Sequence, residues 1–404
     1  MSAMPDSIYL DNQATTPTDP RVRDAMLPLL EKSFVGNPHS EHFVGQRAAT
    51  AVEEARAKVA ALIGARPQEI VFTSGATEAN NLALQGVARS PNRRGNHIIT
   101  CATEHKCVLE TVSYLARSSF RAEVLPVGPS GLIDPAALAG AITSDTFLVS
   151  IMTANNEIGV LQPIDEIAAI CRARDVMFHT DAAQAVGKVP VDVKASGVDM
   201  MSLTGHKFYA PIGVGALYIS EESSIVPEPL FWGGGQERGL RSGTIAPALC
   251  VAFGVASAIA LAELEENARR AASLRCLFLE IVLSRCPDAR VNGDRKRRLP
   301  GNLSLTFPGC DADRLVGTLQ PDIALSTNAA CSAGILQPSH VLLALGLTDS
   351  DAASTIRVGF GRFNTPAEVE VAAERVAAVV TRIRESASLE LAVVKNAGSS
   401  VDLR

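Results

Sequence analysis

A histidine followed directly by a lysine, His206-Lys207, interrupts the apolar segment MSLTGHKFYAP at residues 201–211. Burying an unpaired lysine costs free energy, so a lysine at the end of a buried strand is either solvated or a reactive amine. A reactive amine can form a Schiff base with a carbonyl compound, and that chemistry needs further polar groups around it. The question is therefore which other polar residues the fold brings to this lysine.

Four other apolar segments also end in polar residues. TSGATEANN (73–81) combines a glycine and several hydroxyls with the start of a helix, which can bind a phosphate or simply cap itself. TEHK contains His105, TANNEIG contains Asn155 and Asn156, and FHTDAAQ contains Asp181 and Gln184. Each residue alone also fits a structural role, as a lone histidine or a helix-capping aspartate does.

The carboxyl ends of strands in an open α/β sheet border the ligand crevice. Five such ends here supply an anion binder, a ring partner, a carboxylate and a lysine, which together describe a site for pyridoxal 5'-phosphate (PLP). Lys207 would form the Schiff base with the aldehyde, and Asp181 would pair with the protonated pyridine nitrogen. The helix start and its hydroxyls would hold the phosphate.

The elements that must position these residues follow from the apolar pattern. Between about residues 47 and 220, short apolar segments alternate with helical candidates such as QRAATAVEEARAKVAALIG and PIDEIAAICRARD. This βαβ alternation predicts an α/β fold with a mainly parallel sheet and helices on both faces. One long helix is expected over about 246–284, followed by a smaller α+β domain with antiparallel strands.

Length and composition set the remaining expectations. We predict a large domain at 14–260, a small domain formed by 1–13 with 261–390, and a loosely held tail at 391–404. The net charge of -6 argues against nucleic acid or an anionic membrane as the main partner. No leader pattern is visible at the N-terminus, and the longest apolar-rich segment (249–264) is too short for a bilayer, so a cytoplasmic location is expected.

Eight cysteines occur without a CxxC pair, so no metal site is predicted. Most of them, including Cys250 and Cys276, lie in apolar patterns that are typical of buried thiols. Cys331 differs, because its surroundings, LSTNAACSAGILQP, are rich in small residues and indicate a loop. A loop suits a thiolate that attacks at a cofactor and then delivers sulfur elsewhere.

With these motifs in place, the sequence closely resembles the cysteine desulfurases of the NifS/IscS type, within the class V aminotransferase group of fold-type I PLP enzymes. The matching segments follow the family's order from about residue 8 to 365. They are YLDNQATTP, GNPHS, VFTSGATEANNLAL, TEHKCVLE, NNEIGVLQPI, HTDAAQAVGKVPVDV, SLTGHKFYAPIGVGALYI, GGGQERGLRSGT, NAACSAGILQPSHVLLALG and IRVGFGRFNT.

The resemblance implies a role for each matched residue around the cofactor. Lys207 would be the Schiff-base lysine, Asp181 would pair with the pyridine nitrogen, Gln184 would contact the ring hydroxyl, and His105 would stack on the ring. The phosphate would be lined by Ala76, Thr77, Thr204 and His206, with Thr244 contributed by the neighbouring subunit of a homodimer. Asn156 would approach the ring and take part in substrate binding. Asn37 and Arg357 would hold the substrate carboxylate, for which a planar guanidinium is well shaped.

The implied reaction converts L-cysteine to L-alanine. Lys207 would move the Cα proton, and the Cys331 thiolate would attack the substrate sulfur and retain it as a persulfide. His105 would either deprotonate that thiol or protonate an intermediate, and the sequence leaves both roles open. The acceptor protein is unknown, and iron–sulfur cluster assembly, tRNA thiolation and DNA phosphorothioation are all open as destinations for the sulfur.

The sequence departs from the family pattern near Cys331. Members of this type usually have SSGSAC where this chain has STNAAC, with Asn328 and Ala329 replacing glycine and serine. Because glycine's conformational freedom is lost, we expect a stiffer loop. The C-terminal tail does not resemble the segment that docks the iron–sulfur scaffold protein in the housekeeping enzymes.

Four other functions are alternatives to desulfuration. A selenocysteine lyase would use the same cofactor site, whereas a β-lyase that works without a cysteine has no need of Cys331. A non-catalytic scaffold with the PLP fold would be expected to have lost Lys207, Asp181 or Cys331, and all three are present. A Rossmann-type dehydrogenase would need a GxGxxG motif directly after a strand, and the chain has none.

Overall fold

The computed structural model describes residues 7–32, 34, 36–327, 330–332 and 335–398. Its helices are α1 (Pro20–Met26), α2 (Phe43–Leu62), α3 (Ala76–Arg89), α4 (Lys106–Arg117), α5 (Pro135–Ala141), α6 (Ile164–Arg172), α7 (Val193–Ser196), α8 (Pro247–Ala262), α9 (Leu264–Arg285), α10 (Ala312–Leu319), α11 (His340–Ala344), α12 (Asp349–Ala353) and α13 (Pro366–Gly398). Its strands are β1 (Ile8–Tyr9), β2 (Ile70–Thr73), β3 (His97–Cys101), β4 (Arg121–Leu125), β5 (Thr146–Ser150), β6 (Met177–Asp181), β7 (Met200–Thr204), β8 (Gly215–Ile219), β9 (Arg290–Val291), β10 (Asn302–Thr306), β11 (Ile323–Ala324), β12 (Ser326–Thr327), β13 (Ala330–Ser332), β14 (Ile335–Gln337) and β15 (Thr355–Gly359).

Seven strands form the large sheet, in the order β2-β8-β7-β6-β5-β3-β4. The neighbouring strands β4, β3, β5, β6 and β7 are parallel to one another, and β8 runs antiparallel to both β7 and β2. Every residue of β3, β5, β6, β7 and β8 is buried, as expected for strands covered on both faces. This is the mainly parallel α/β architecture that the sequence predicted.

A second sheet has the order β12-β15-β10-β9, and each of its neighbouring pairs is antiparallel. One apolar cluster joins Leu10, Phe278, Leu305, Val358 and Val376, so the start of the chain packs with its C-terminal third. On this clustering we propose the predicted division into 14–260 and 1–13 with 261–390. Residues 391–398 continue α13, whereas 399–404 lie outside the described residues.

The single long helix expected over about 246–284 is two helices, α8 and α9, bent by 76°. The break falls at Glu263, whose backbone leaves the helical region (φ -108°, ψ 9°) and whose carboxylate pairs with Arg21 and Arg362. In the described part of the chain no single helix is long and apolar enough to span a membrane. By length and composition, only α8 and α9 counted together across their bend would reach that size.

The free edge of β2 is closed by side chains. Arg56 of α2 forms a bidentate ion pair with Glu237, with both N···O distances 2.7 Å and both side chains at most 5% exposed. Arg56 also donates to the carbonyl of Ile70, and Glu237 accepts the Phe72 N–H. An unpaired strand edge otherwise exposes backbone donors and acceptors. This pair therefore fixes β2, which leads through residues 74–75 into α3.

We predict that Glu237→Gln lowers the free energy of unfolding by about 3 kcal/mol, because it removes the buried counter-charge of the Arg56 guanidinium and leaves only the exposed Glu53 carboxylate. Glu221→Gln is the matched control, since Glu221 pairs with Arg66 on the surface and such a pair contributes less than about 1 kcal/mol. Urea denaturation of the three proteins measures both differences. Equal losses in the two variants would contradict the assigned weight of the Arg56–Glu237 pair.

Candidate active site

A cavity of about 470 Å³ lies at the carboxyl ends of the parallel strands. Ten of the thirteen residues proposed from the sequence line it: Ala76, Thr77, His105, Asn156, Asp181, Gln184, Thr204, His206, Lys207 and Arg357. They come from segments spread over more than 280 residues, so their convergence depends on the fold. Their assigned roles stay predictions, but their proximity is a property of the structure.

The other three residues are placed differently. Asn37 and Thr244 are exposed and do not line this cavity, and the Asn37 Oδ1 accepts the His39 N–H at 3.0 Å. Cys331 lies in β13, opposite Leu336 of β14, and its side chain is beyond what the structure describes. Asn328 and Ala329 lie outside the described residues. The predicted roles of these residues therefore rest on the resemblance alone.

Lys207 ends a single turn, Gly205–Lys207, that directly follows β7. Its Nζ donates to the carbonyls of Gln13 and Ala14, at 2.7 Å in each case. Burial, reinforced by the positive charge of Arg357, lowers the Lys207 pKa to about 8. A larger fraction of this amine is consequently neutral, and nucleophilic, near neutral pH than for an ordinary lysine.

Asp181 ends β6 and is only 5% exposed. Its Oδ1 accepts the Ala183 N–H at 2.9 Å, and its Oδ2 accepts the Asn80 side-chain amide at 2.6 Å. Two donors fix the plane of this carboxylate at the cavity wall. Such a fixed carboxylate can pair with a protonated ring nitrogen.

Gln184 follows Asp181 by three residues and is held from both sides. Its Oε1 accepts from Lys188 Nζ at 2.7 Å, and its Nε2 donates to the Gln13 carbonyl at 2.9 Å. Since a carbonyl oxygen can only accept, the contact with Gln13 assigns which end of the Gln184 amide carries the N–H groups. The Nε2 donor thereby lies on the Gln13 side, where Lys207 also donates.

The start of α3 is suited to a phosphate. Gly75 precedes the helix with φ +153°, and no side chain caps its first N–H groups. A Cβ built on Gly75 would have only the Thr204 hydroxyl within 4 Å, at 3.7 Å, so the space before the helix is open. Free N–H groups and the helix dipole favour an anion at this position. With the Lys207 amine and the Asp181 carboxylate in the same cavity, the residues fit PLP.

His105 caps α4, and this contact determines its tautomer. The Cys107 N–H donates to His105 Nδ1 at 3.2 Å, and an amide N–H can only donate. Nδ1 must therefore be the unprotonated nitrogen, so the neutral ring carries its proton on Nε2. Desolvation, assisted by the positive charge of Lys207, lowers the His105 pKa against the opposing effect of Asp181, which favours the neutral ring.

Several cavity residues were not foreseen from the sequence. Cys107 lines the cavity with its Sγ 3.0 Å from His105 Nδ1, and burial together with Asp181 raises its pKa to about 12. Gln13 and Ala14 also line the cavity, and the resemblance assigns them no role. Asn80, which has no assigned role either, lies behind the cavity wall, where it donates to Asp181. Polar residues within YLDNQATTP were the available signal, but nothing in the sequence places that segment beside Lys207.

The neighbouring asparagines 155 and 156 have different surroundings. Asn155 is 1% exposed, donates to the Thr103 carbonyl and accepts the N–H groups of Glu157 and Ile158. It therefore shapes the turn after β5, whereas Asn156 lines the cavity. Cys276, expected to be buried, is exposed on α9.

Comparison with known proteins places the chain in a family. The model of the aminotransferase class-V family matches residues 8–371, so the chain belongs to that family. It is 50% identical to the mitochondrial cysteine desulfurase of Drosophila melanogaster, over 95% of this chain and 82% of the relative. It is 45% identical to the cysteine desulfurase IscS of Rickettsia typhi, over 95% and 93%.

A solved structure leads to the same conclusion. A NifS-like protein superposes with a TM-score of 0.86 at 36% identity, covering 93% of this chain and 99% of that one. The expected α/β fold of the type I PLP enzymes and the resemblance to the NifS/IscS group are thereby confirmed.

We predict that the rate at which the PLP-free protein forms its Schiff base with added PLP rises with pH and is half-maximal near pH 8. Only the neutral Lys207 amine is nucleophilic, and its neutral fraction rises as the pH passes the lowered pKa. Stopped-flow absorbance measures the rate, and Lys207→Ala controls for other amines. A midpoint near that of an ordinary lysine, about 10.4, would contradict the assigned environment.

Proposed function

We propose that the protein is a PLP-dependent cysteine desulfurase, which converts L-cysteine to L-alanine and retains the sulfur as a persulfide on Cys331. The observation that carries this proposal is one cavity that joins the Lys207 amine, the Asp181 carboxylate and the Arg357 guanidinium. An amine, a ring-nitrogen partner and a carboxylate receptor are what PLP chemistry on an amino acid needs. The cysteine desulfurases at 45–50% identity support cysteine as the amino acid.

When bound, PLP supplies an electron sink that stabilises negative charge at the Cα of an attached amino acid. Asp181 would keep the ring nitrogen protonated, which maintains that sink. The N–H groups at the start of α3, with Thr77, Thr204 and His206, would hold the phosphate. Burial and the nearby lysines lower the His206 pKa to about 4, so His206 is neutral at neutral pH and would contribute hydrogen bonds without a charge.

Lys207 would handle the proton on the substrate Cα. Its pKa of about 8 lies close to neutral pH, so the amine can both take a proton and return it. Arg357 would bind the substrate carboxylate, and together with Asn156 would set the direction in which the substrate side chain lies. Asn37 is the further predicted contact to this carboxylate.

The sulfur step is a thiolate attack. The Cys331 thiolate would form a bond to the substrate sulfur while the Cβ–S bond breaks, and the electron pair of that bond returns to the carbon skeleton. Two protons then complete L-alanine, and Cys331 keeps the sulfur as a persulfide. His105 presents its N–H at Nε2, so the tautomer favours proton donation over deprotonation of the Cys331 thiol.

Some finer points remain proposals of this function. The sulfur acceptor is a protein not identified by the chain or its relatives, and selenocysteine is the alternative substrate that the same site would take. A non-catalytic scaffold is disfavoured because Lys207 and Asp181 are both present and adjacent to the cavity. The cytoplasmic location stays a prediction, since the relatives include a mitochondrial and a bacterial enzyme.

We predict that the purified protein, given L-cysteine and a reductant, releases L-alanine and sulfide in equal amounts. Cys331→Ala should lower both rates by about 10²-fold or more while the visible PLP absorbance remains, because the nucleophile is lost and the cofactor site is not. Cys276→Ala is the matched control, since Cys276 is an exposed thiol on α9 away from the cavity.

The alternatives give different results in the same experiment. Alanine that continues to form in Cys331→Ala would contradict the persulfide mechanism and favour direct lyase chemistry. No turnover by the unaltered protein, even with PLP bound, would favour a scaffold. Selenocysteine as the only productive substrate would favour a selenocysteine lyase.

We further propose a homodimer in which Thr244 of the partner subunit completes the phosphate site. Thr244 is exposed and does not line the cavity of its own chain, as this role requires. The test mixes Lys207→Ala subunits with Thr244→Ala subunits and isolates the hybrid dimer. If Thr244 acts across the interface, the one Lys207-containing site in the hybrid receives an intact Thr244 and binds PLP as tightly as the unaltered protein.

The Thr244→Ala homodimer is the reference for this measurement and should bind PLP about tenfold more weakly, the value of one hydrogen bond to a charged group. A hybrid with the same weakened affinity would show that Thr244 acts within its own chain. Monomers in sedimentation analysis of the unaltered protein would contradict the proposed dimer outright.

A further inference from the structure

Arg357 lines the cavity, and its guanidinium is held by contacts with neighbouring residues. Its Nη2 donates to Asp11 Oδ1 at 2.8 Å, in an ion pair whose side chains are 11% and 15% exposed. Its Nη1 lies 3.4 Å from the Asn156 carbonyl. Asp11 is the only carboxylate paired with Arg357 within the described residues. The direction of the guanidinium is consequently set by Asp11, which is 346 positions away along the chain.

The second oxygen of Asp11 has its own partner. Ser326 Oγ donates to Asp11 Oδ2 at 2.6 Å. Ser326 of β12 pairs directly with Arg357 of β15, and residues opposite each other in a sheet project to the same face. The two oxygens of the Asp11 carboxylate therefore bind the two members of one cross-strand pair, Oδ1 binding Arg357 and Oδ2 binding Ser326. The backbone also contributes, because Asp11 forms a bridge with Gly359 two residues beyond Arg357.

Ser326 lies in the strand that leads towards Cys331. β12 is the last described element before the hairpin of β13 and β14, and Cys331 follows Ser326 by five residues. Asp11 thus contacts both the predicted receptor for the substrate carboxylate and the strand that leads to the predicted nucleophile. Neither contact was anticipated from the sequence, although Asp11 lies within YLDNQATTP.

We propose that Asp11 is a positioning residue of the desulfurase reaction. It holds Arg357 in the direction that binds the substrate carboxylate, and it connects Arg357 to β12, the strand that leads to Cys331. This inference rests on the proposed function. Asp11 does not touch the substrate itself, since it is not among the residues lining the cavity. It acts through Arg357 on one side and through Ser326 on the other.

The charge of Asp11 also reaches Lys207. The charged groups that act on the Lys207 amine are Arg357, which lowers its pKa, and Asp11 and Asp181, which raise it. Lys188 lies near the same amine, and its burial, followed by the charges of Lys207 and Arg357, lowers its own pKa. Removing the charge of Asp11 would leave Arg357 uncompensated and destabilise the protonated form of Lys207. This provides a readout that a merely structural residue would not change.

The test compares Asp11→Asn, Ser326→Ala and Asp19→Asn with the unaltered protein. Asp19→Asn is the matched control. Asp19 forms an ion pair with Arg362 whose side chains, at 2% and 6% exposure, are more buried than those of the Asp11–Arg357 pair. Neither Asp19 nor Arg362 lines the candidate active site. It should lower the melting temperature without changing the KM for L-cysteine. Thermal unfolding confirms that all variants fold.

For Asp11→Asn we expect the KM for L-cysteine to rise about tenfold, because a charge-assisted hydrogen bond orients the guanidinium. For Ser326→Ala we expect a smaller rise, about threefold, because the Arg357–Asp11 pair remains. A Ser326→Ala variant with unchanged KM would overturn the part of the proposal that concerns β12. An Asp11→Asn variant with unchanged KM would overturn the part that concerns Arg357.

A second measurement needs no turnover. The PLP-free proteins are acylated with acetic anhydride over a range of pH, and the modified Lys207 peptide is quantified by mass spectrometry. Asp11→Asn should lower the Lys207 pKa by roughly half a pH unit, and Asp19→Asn should leave it unchanged. An unaltered protein that does not turn over L-cysteine contradicts the proposed function, whereas an unshifted Lys207 pKa in Asp11→Asn contradicts this inference.

Discussion

Parallel strands place their carboxyl ends along one edge of a sheet, and the cavity depends on that constraint. Asp181 ends β6, and Lys207 lies one turn beyond β7, its neighbour in the sheet. His105 follows β3 and caps α4. Polar side chains inside the strands are bonded to one another, as His179 is to Ser150 and Ser202, so they are not available to a ligand. The sheet therefore gathers the reactive groups at or just beyond the carboxyl ends of its strands.

The segment around residues 11–16 joins this sheet to the second one. Gln13 and Ala14 offer carbonyls to Lys207, while Thr16 donates to the carbonyl of His206. The same segment carries Asp11, which contacts Arg357 of β15. A cavity with one wall from each sheet needs such a connection, because relative movement of the walls would separate the Lys207 amine from the Arg357 guanidinium.

The sequence predicted those features that local pattern determines. Lys207 and Asp181 were identified because apolar strands followed by polar residues are visible without a structure. The contacts of Asn80 with Asp181 and of Asp11 with Arg357 were not, because each joins residues at least a hundred positions apart. The break at Glu263 was also missed: the residues around it all favour helix, and the bend depends on Arg21 and Arg362, which reach it from elsewhere in the fold.

One thiol lines the cavity among the described side chains, that of Cys107, whose pKa burial and Asp181 raise to about 12. At pH 7 only roughly one molecule in 10⁵ carries this sulfur as a thiolate, and the thiolate is the form that reacts with electrophiles. Covalent inhibitors aimed at the proposed nucleophile, Cys331, would therefore not be diverted by Cys107. An electrophile that reacts only with thiolates would leave Cys107 unmodified. Profiling of cysteine reactivity would therefore not detect Cys107, although a ligand in the cavity can reach it.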